Sequence, residues 1–210
     1  TALLRRGARL VLVDLNAERL AQLPVPPEVE RHALDVRDHE ALRRLAVGVA
    51  KRHGRIDYLF NNAGVGVGGE VQYLTVAHWD RAIDVNIRGV VNGVAAVYPI
   101  MVRQRSGTIV NTASMAGLGP LPLVVPYNMT KHAVVGLTRG LRMEAEAYGV
   151  RVCALCPVGV DTPMLDAVNP ADLPNYEGIW RPNLRRYFTR LVGRPLQPDR
   201  FAEQALRGVE

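Results

Sequence analysis

Cysteine, lysine and aromatic residues are scarce in this 210-residue chain, and each scarcity excludes something. The two cysteines, Cys153 and Cys156, are too few for a disulfide framework, so a reducing cytoplasm is the expected setting. They form a C-x-x-C, but no second ligand pair accompanies it and no metal site is expected. The pair sits in residues 150–156, which read as a buried strand, where positions three apart face opposite sides. Aromatics are 6% of the residues, and the arginines behind the net charge of +6 are scattered. A nucleic-acid surface would cluster its cations among aromatics, so no nucleic-acid partner is expected. Charge itself is missing from the 25 residues between Ser106 and Thr130, a length that could span a membrane. Pro120, Pro122, Pro126 and three glycines break that stretch, so it is not read as a transmembrane helix. No signal peptide is visible. A hydrophobic share of 48% over this length suits one globular domain, 1–210.

Lysine accounts for two of the 26 basic residues, Lys51 and Lys131. A chain that uses arginine almost everywhere still has lysine four positions after Tyr127. On a helix those positions share a face, so phenol and ammonium can converge. A compact ammonium is not interchangeable with a planar guanidinium in a tight site. A cation beside a phenol favours the phenolate and lowers a pKa that starts near ~10, which suits a general acid and base.

Along the chain, strand-like and helix-like segments alternate. Strands are expected at 9–13, 30–34, 56–60, 108–111 and 150–156, and helices at 38–53, 78–105 and 125–148. The alternation predicts an α/β fold with a doubly wound parallel sheet in three layers. Ligands of such sheets bind beyond the carboxyl ends of the strands, where Asp14, Asp35, Asn62, Ser114 and Pro157 fall.

Seven motifs then occur in order: V-L-V-D-L at 11–15, D-V at 35–36, N-N-A-G at 61–64, D-V-N-I-R-G at 84–89, I-V-N-T-A-S at 109–114, Y-N-M-T-K at 127–131 and C-P-V-G-V-D-T-P-M at 156–164. Together they resemble the short-chain dehydrogenases/reductases, whose fold is Rossmann-like. The resemblance implies an NAD(P)-dependent oxidoreductase that interconverts an alcohol and a carbonyl. It implies that Tyr127 moves the proton, that Ser114 holds the substrate oxygen, and that Lys131 lowers the Tyr127 pKa and grips the nicotinamide ribose. Asn86 would anchor a water linking Lys131 to solvent. Asp35 and Val36 would lie beside the adenine, and Asn62, Ala63 and Gly64 beside the adenosine ribose. Pro157, Val160 and Thr162 would meet the carboxamide. Asp14, a carboxylate after the second strand, would accept from ribose hydroxyls and repel a 2′-phosphate, which favours NAD over NADP.

The chain departs from that family at its start. Thr1–Gly7 resembles the tail of the family's first helix, and the first strand and its T-G-x-x-x-G-x-G turn are absent. That strand would be central, so its loss exposes two inner sheet edges or distorts the pairing. Two readings stay open: a piece of a longer active enzyme, or an inactive fragment acting only as a binding or interaction module. Residues 163–198 break the alternation and are expected to form a substrate lid. Its cluster, Arg181, Arg185, Arg186, Arg190 and Arg194, reads as the solvated basic face of an amphipathic helix. Leu118, Leu121, Leu123, Val124 and Trp180 favour a substrate with a hydrophobic portion, and Met129 and Thr130 are expected to shape the pocket wall. The resemblance also implies a homodimer or homotetramer built on the two long helices.

Overall fold

The computed structural model describes residues 2–166, 168–174 and 183–209, with all their side chains except those of 191 and 192. Trp180 and Arg181 therefore lie outside the described residues. In order come α1 (Ala2–Arg5), β1 (Val11–Asp14), α2 (Ala17–Ala21), β2 (Glu30–Ala33), α3 (His39–His53), β3 (Tyr58–Asn61), α4 (Val76–Ile83), α5 (Gly89–Gln104), β4 (Gly107–Thr112), α6 (Val125–Ala145), β5 (Val150–Leu155), α7 (Leu184–Val192) and α8 (Pro198–Val209).

The strands pair in parallel, as the alternation of strand and helix requires, since each crossover must return the chain to the same end. Among the described residues the strands form two parallel sheets, β1 with β2 and β3-β4-β5 with β4 central, which leaves the two inner edges expected where the central strand is missing. The three-stranded sheet carries the core. Ile109 and Val110 on β4 are fully buried, and Ile109 packs with Val150 and Val152 of β5, Ile100 and Met101 of α5, and Ala46 of α3. β1 and β2 hold no fully buried residue. Glu30 of β2 ties its sheet to the end of α3 through Arg52 and through His53, whose Nε2 lies 2.8 Å away. His53, Arg52 and His32 hold the Glu30 carboxyl down to about 2.

Local chemistry sets the ends. The Asp38 carboxylate caps α3 by accepting from the Ala41 amide at 2.9 Å, and Gly54 closes it with φ 79°. β3 starts at Tyr58 and not at Ile56, because the Gln104 side chain already holds both the N–H and the C=O of Ile56, each at 2.9 Å. The helix expected at 78–105 is interrupted: α4 and α5 are joined by a π-helical turn, Asp84–Arg88. Among the described residues this stretch, Val76–Gln104, and not 106–130, is the part long and apolar enough to cross a membrane, but half of its most apolar window is buried in the protein. It packs against α3, β3 and β4, as an interior helix does.

Candidate active site

Three chain segments meet at the carboxyl end of β4. The strand runs into Ser114, which caps the 3-10 turn Met115–Gly117 by accepting from the Ala116 amide at 3.1 Å. α6 passes close by because Gly117 has no side chain. A Cβ there would stand 2.5 Å from the Lys131 carbonyl oxygen. Pro126 lies in the first turn of α6, where its missing N–H costs nothing, and Tyr127 and Lys131 follow one turn apart.

The Ser114 hydroxyl is near enough to the Tyr127 phenol to favour its ionised form. The Lys131 ammonium lies over the Tyr127 ring, 5.5 Å from its centroid, and donates to the Thr112 carbonyl at 2.8 Å. Lys131 is 4% exposed, and burial pulls its pKa down to about 8. The phenol does not follow the expectation that Lys131 lowers it. Burial raises the Tyr127 pKa, and the Ser114 hydroxyl opposes this only in part. Desolvation penalises a phenolate here more than its neighbours relieve it.

Asn86 sits in the π turn, fully buried. Its Oδ1 accepts from the Val65 amide at 2.8 Å, and its Nδ2 donates to the Val65 carbonyl at 3.0 Å and to Thr130 Oγ1 at 3.1 Å. Both Nδ2 hydrogens of Asn86 thus go to protein partners, and its Oδ1 holds one. Gly64 lies in the same knot: a Cβ on it would stand 3.2 Å from Asn86 Oδ1 and 3.7 Å from Lys131 Nζ.

Of the other expected contacts, Asp14 ends β1 with an exposed carboxylate that accepts from the Asn16 amide at 2.9 Å. Asp35 is gripped by Arg37, whose Nη2 lies 2.6 Å from it and whose guanidinium holds the carboxyl below its ordinary value. Val36 is half-buried against Gly89, and its carbonyl accepts from Asn92 at 3.0 Å. Asn62 and Ala63 are exposed, and Asn62 Oδ1 accepts from Thr112 Oγ1 at 3.1 Å. Pro157 accepts from the Met115 amide at 3.0 Å, Val160 bridges Leu196, and the Thr162 carbonyl accepts from Arg185 at 3.4 Å. Among the described residues no three His, Cys, Asp or Glu side chains converge as a metal site would need.

Three expectations change here. Thr130 is no pocket wall: it is fully buried, and its hydroxyl bonds inside the protein. Val124 is buried at 2% and faces the core, while Leu118 stays 58% exposed. Arg185 is not part of a solvated basic face. It forks onto Asp166, with Nη2 at 2.7 Å, and reaches Asp161 at 2.5 Å, which pins α7 down beside buried Phe188. The start of the expected lid is likewise fastened, since Asn169 exchanges two hydrogen bonds with Gly68, at 2.9 and 2.8 Å. Thr112 was not expected, although it serves Lys131 with its carbonyl and Asn62 with its hydroxyl. Its only signal in the sequence is its place two residues before Ser114.

Residues 1–173 match the family model described as short chain dehydrogenase. Levodione reductase of Leifsonia aquatica is 38% identical over 168 residues, which cover 76% of this chain and 63% of that protein. The chain thus spans less than two-thirds of that relative's length. A 3-ketoacyl-(acyl-carrier-protein) reductase from Brucella melitensis, solved with NADH, superposes with a TM-score of 0.85 at 27% identity, covering 100% of this chain and 83% of its own. ElxO, solved with NADP bound, superposes with a TM-score of 0.74 at 28% identity, covering 78% of this chain and 68% of its own. A motif series that places serine, tyrosine and lysine side by side and a family match over more than half the residues lead to one conclusion: the chain belongs to the short-chain dehydrogenase family.

Proposed function

We propose that this protein, in its full-length form, interconverts an alcohol and a carbonyl with NAD(H). The observation that carries this reading is Lys131. The residue is 4% exposed, yet among the described residues its ammonium has one hydrogen-bond acceptor, Thr112 O, for three N–H donors. A buried cation with two spare donors beside a phenol suits a ligand rich in hydroxyls, and Gly64 keeps the nearby backbone clear of side-chain atoms. These features fit a nicotinamide dinucleotide, with Lys131 and Tyr127 at the nicotinamide ribose and Pro157, Val160 and Thr162 at the carboxamide. Asn62, Ala63 and Gly64 fall to the adenosine ribose, and Asp35 and Val36 to the adenine. When bound, the nicotinamide ring accepts or gives the hydride. Tyr127 takes or returns the proton of the substrate oxygen, and Ser114 donates to that oxygen and holds it in line.

Asp14 supports NAD over NADP, because its exposed carboxylate would meet a 2′-phosphate with repulsion. With a panel of secondary alcohols and hydrophobic ketones, kcat/KM for NAD(H) should exceed that for NADP(H) by roughly tenfold or more, and Asp14→Ala should narrow the gap. Equal values in the unaltered protein would overturn the preference, and no turnover with either cofactor would leave the interaction-module reading in its place.

The segment Val76–Gln104 and α6 would form the contacts of a homodimer or homotetramer. Met143 on α6 is 81% exposed and Val91 on α5 is 42% exposed, which supports such a contact. Sedimentation equilibrium of the full-length protein should give a multiple of the chain mass. A monomer at micromolar concentration contradicts the assignment.

A further inference from the structure

The hydroxyl of Thr130 takes no part in the chemistry above, yet it touches the structure that carries it at two points. It donates to the carbonyl of Tyr127 at 2.8 Å and accepts from Asn86 Nδ2 at 3.1 Å. Each bond has only one possible direction. A carbonyl can only accept, so the single hydroxyl hydrogen goes to Tyr127, and the oxygen is left to accept from Asn86. Asn86 then spends its second Nδ2 hydrogen on the Val65 carbonyl and its Oδ1 on the Val65 amide. Thr130 and Asn86 are both 0% exposed, so no water replaces a lost member. The chain of bonds joins three segments: the loop after β3, the π turn, and the start of α6.

We propose that Thr130 is a positioning residue, whose hydroxyl sets the distance between Tyr127 and Lys131 on α6 and the Gly64–Val65 loop. Thr130 touches none of the reacting groups and acts through the backbone of Tyr127 and through Asn86. The inference rests on the dehydrogenase reading, because the loop matters to catalysis only if the cofactor lies against it.

The test compares full-length wild type with Thr130→Val, which keeps the volume and removes both bonds, and Thr130→Ser, which keeps both bonds and removes a methyl group. Thr130→Val should lower kcat on the order of tenfold while the dissociation constant for NAD(H) stays within about twofold, and Thr130→Ser should return kcat to near the wild-type value. A Thr130→Val protein that melts earlier but keeps its kcat refutes positioning, and so does a Thr130→Ser protein as slow as Thr130→Val. If Thr130→Val does not fold, Thr130→Ser against Thr130→Ala makes the same comparison. A second measurement does not need turnover: NMR titration of ring-labelled tyrosine, with Tyr127 assigned from Tyr127→Phe. Losing the bond to its carbonyl moves Tyr127 relative to Ser114, so the Tyr127 midpoint should shift in Thr130→Val and return in Thr130→Ser. An unchanged midpoint refutes the proposal even if the wild type shows no turnover, and absent wild-type turnover alone counts against the dehydrogenase reading.

Discussion

On the dehydrogenase reading, Tyr127→Phe should lower kcat by roughly a thousandfold, the usual scale for removing a general acid and base. The change deletes one oxygen and leaves the ring, so the Lys131 ammonium keeps its place over the ring face, 5.5 Å from the centroid. NAD(H) should therefore bind within about threefold of wild type, and the melting temperature should move little, because one hydroxyl contributes only ~1 kcal/mol. Single-turnover kinetics and cofactor titration separate the two effects. A kcat within about tenfold of wild type would show that another group moves the proton. The direction of the Tyr127 pKa also predicts a pH profile. The phenol is raised by burial, so activity that needs the phenolate climbs with pH beyond neutrality.

Gly117→Ala carries the second large effect, on stability and rate together. The added methyl group would lie 2.5 Å from the Lys131 carbonyl oxygen and 2.8 Å from its carbonyl carbon. Both are backbone atoms of α6 and cannot swing aside as a side-chain tip can. Either the helix or the Met115–Gly117 turn must shift, at a cost of about 1–3 kcal/mol. Ser114 is on one side of that contact and Tyr127 and Lys131 are on the other, so the shift spreads the site, and kcat falls on the order of a hundredfold. Gly119→Ala is the control two residues away, where a Cβ meets nothing within 4 Å. It should leave both the melting temperature and kcat unchanged. Equal behaviour of the two variants would mean that the close approach at Gly117 has no bearing on the site.

Much of this was legible in the sequence because it depends on local order. The residues proposed for the site stand at or just beyond strand ends, and the four-residue step from Tyr127 to Lys131 is a helical turn wherever the helix lies. What was not legible depends on partners far away along the chain. The π turn has no marker of its own in Asp84–Arg88, since it answers to Val65, 21 residues earlier. Thr130 reads as a small residue beside a lysine until Asn86 is brought against it. Arg185 looked solvated because Asp161 and Asp166, its partners, are about twenty residues away. The phenol's direction was missed for another reason: sequence shows the charge near a tyrosine and hides how much water it loses. The gap in the sheet was legible, because a missing central strand leaves two inner edges, and among the described residues β1–β2 is a separate sheet from the one that leads into Ser114.

The π turn also bears on any attempt to rebuild this scaffold. A π turn inserts one residue into a helix and rotates all that follows by about 100° relative to an unbroken α-helix. Before it, Ala82 packs with Val67 and Leu173, and after it, Val90 packs with Ala113 and Val134. An idealised helix of the same length could satisfy one of these neighbourhoods and would misphase the other. It would also swing Asn86 away from Val65. The irregularity is thus a gear between two faces of the molecule, and a designer who smoothed it would have to redraw the lining on one side.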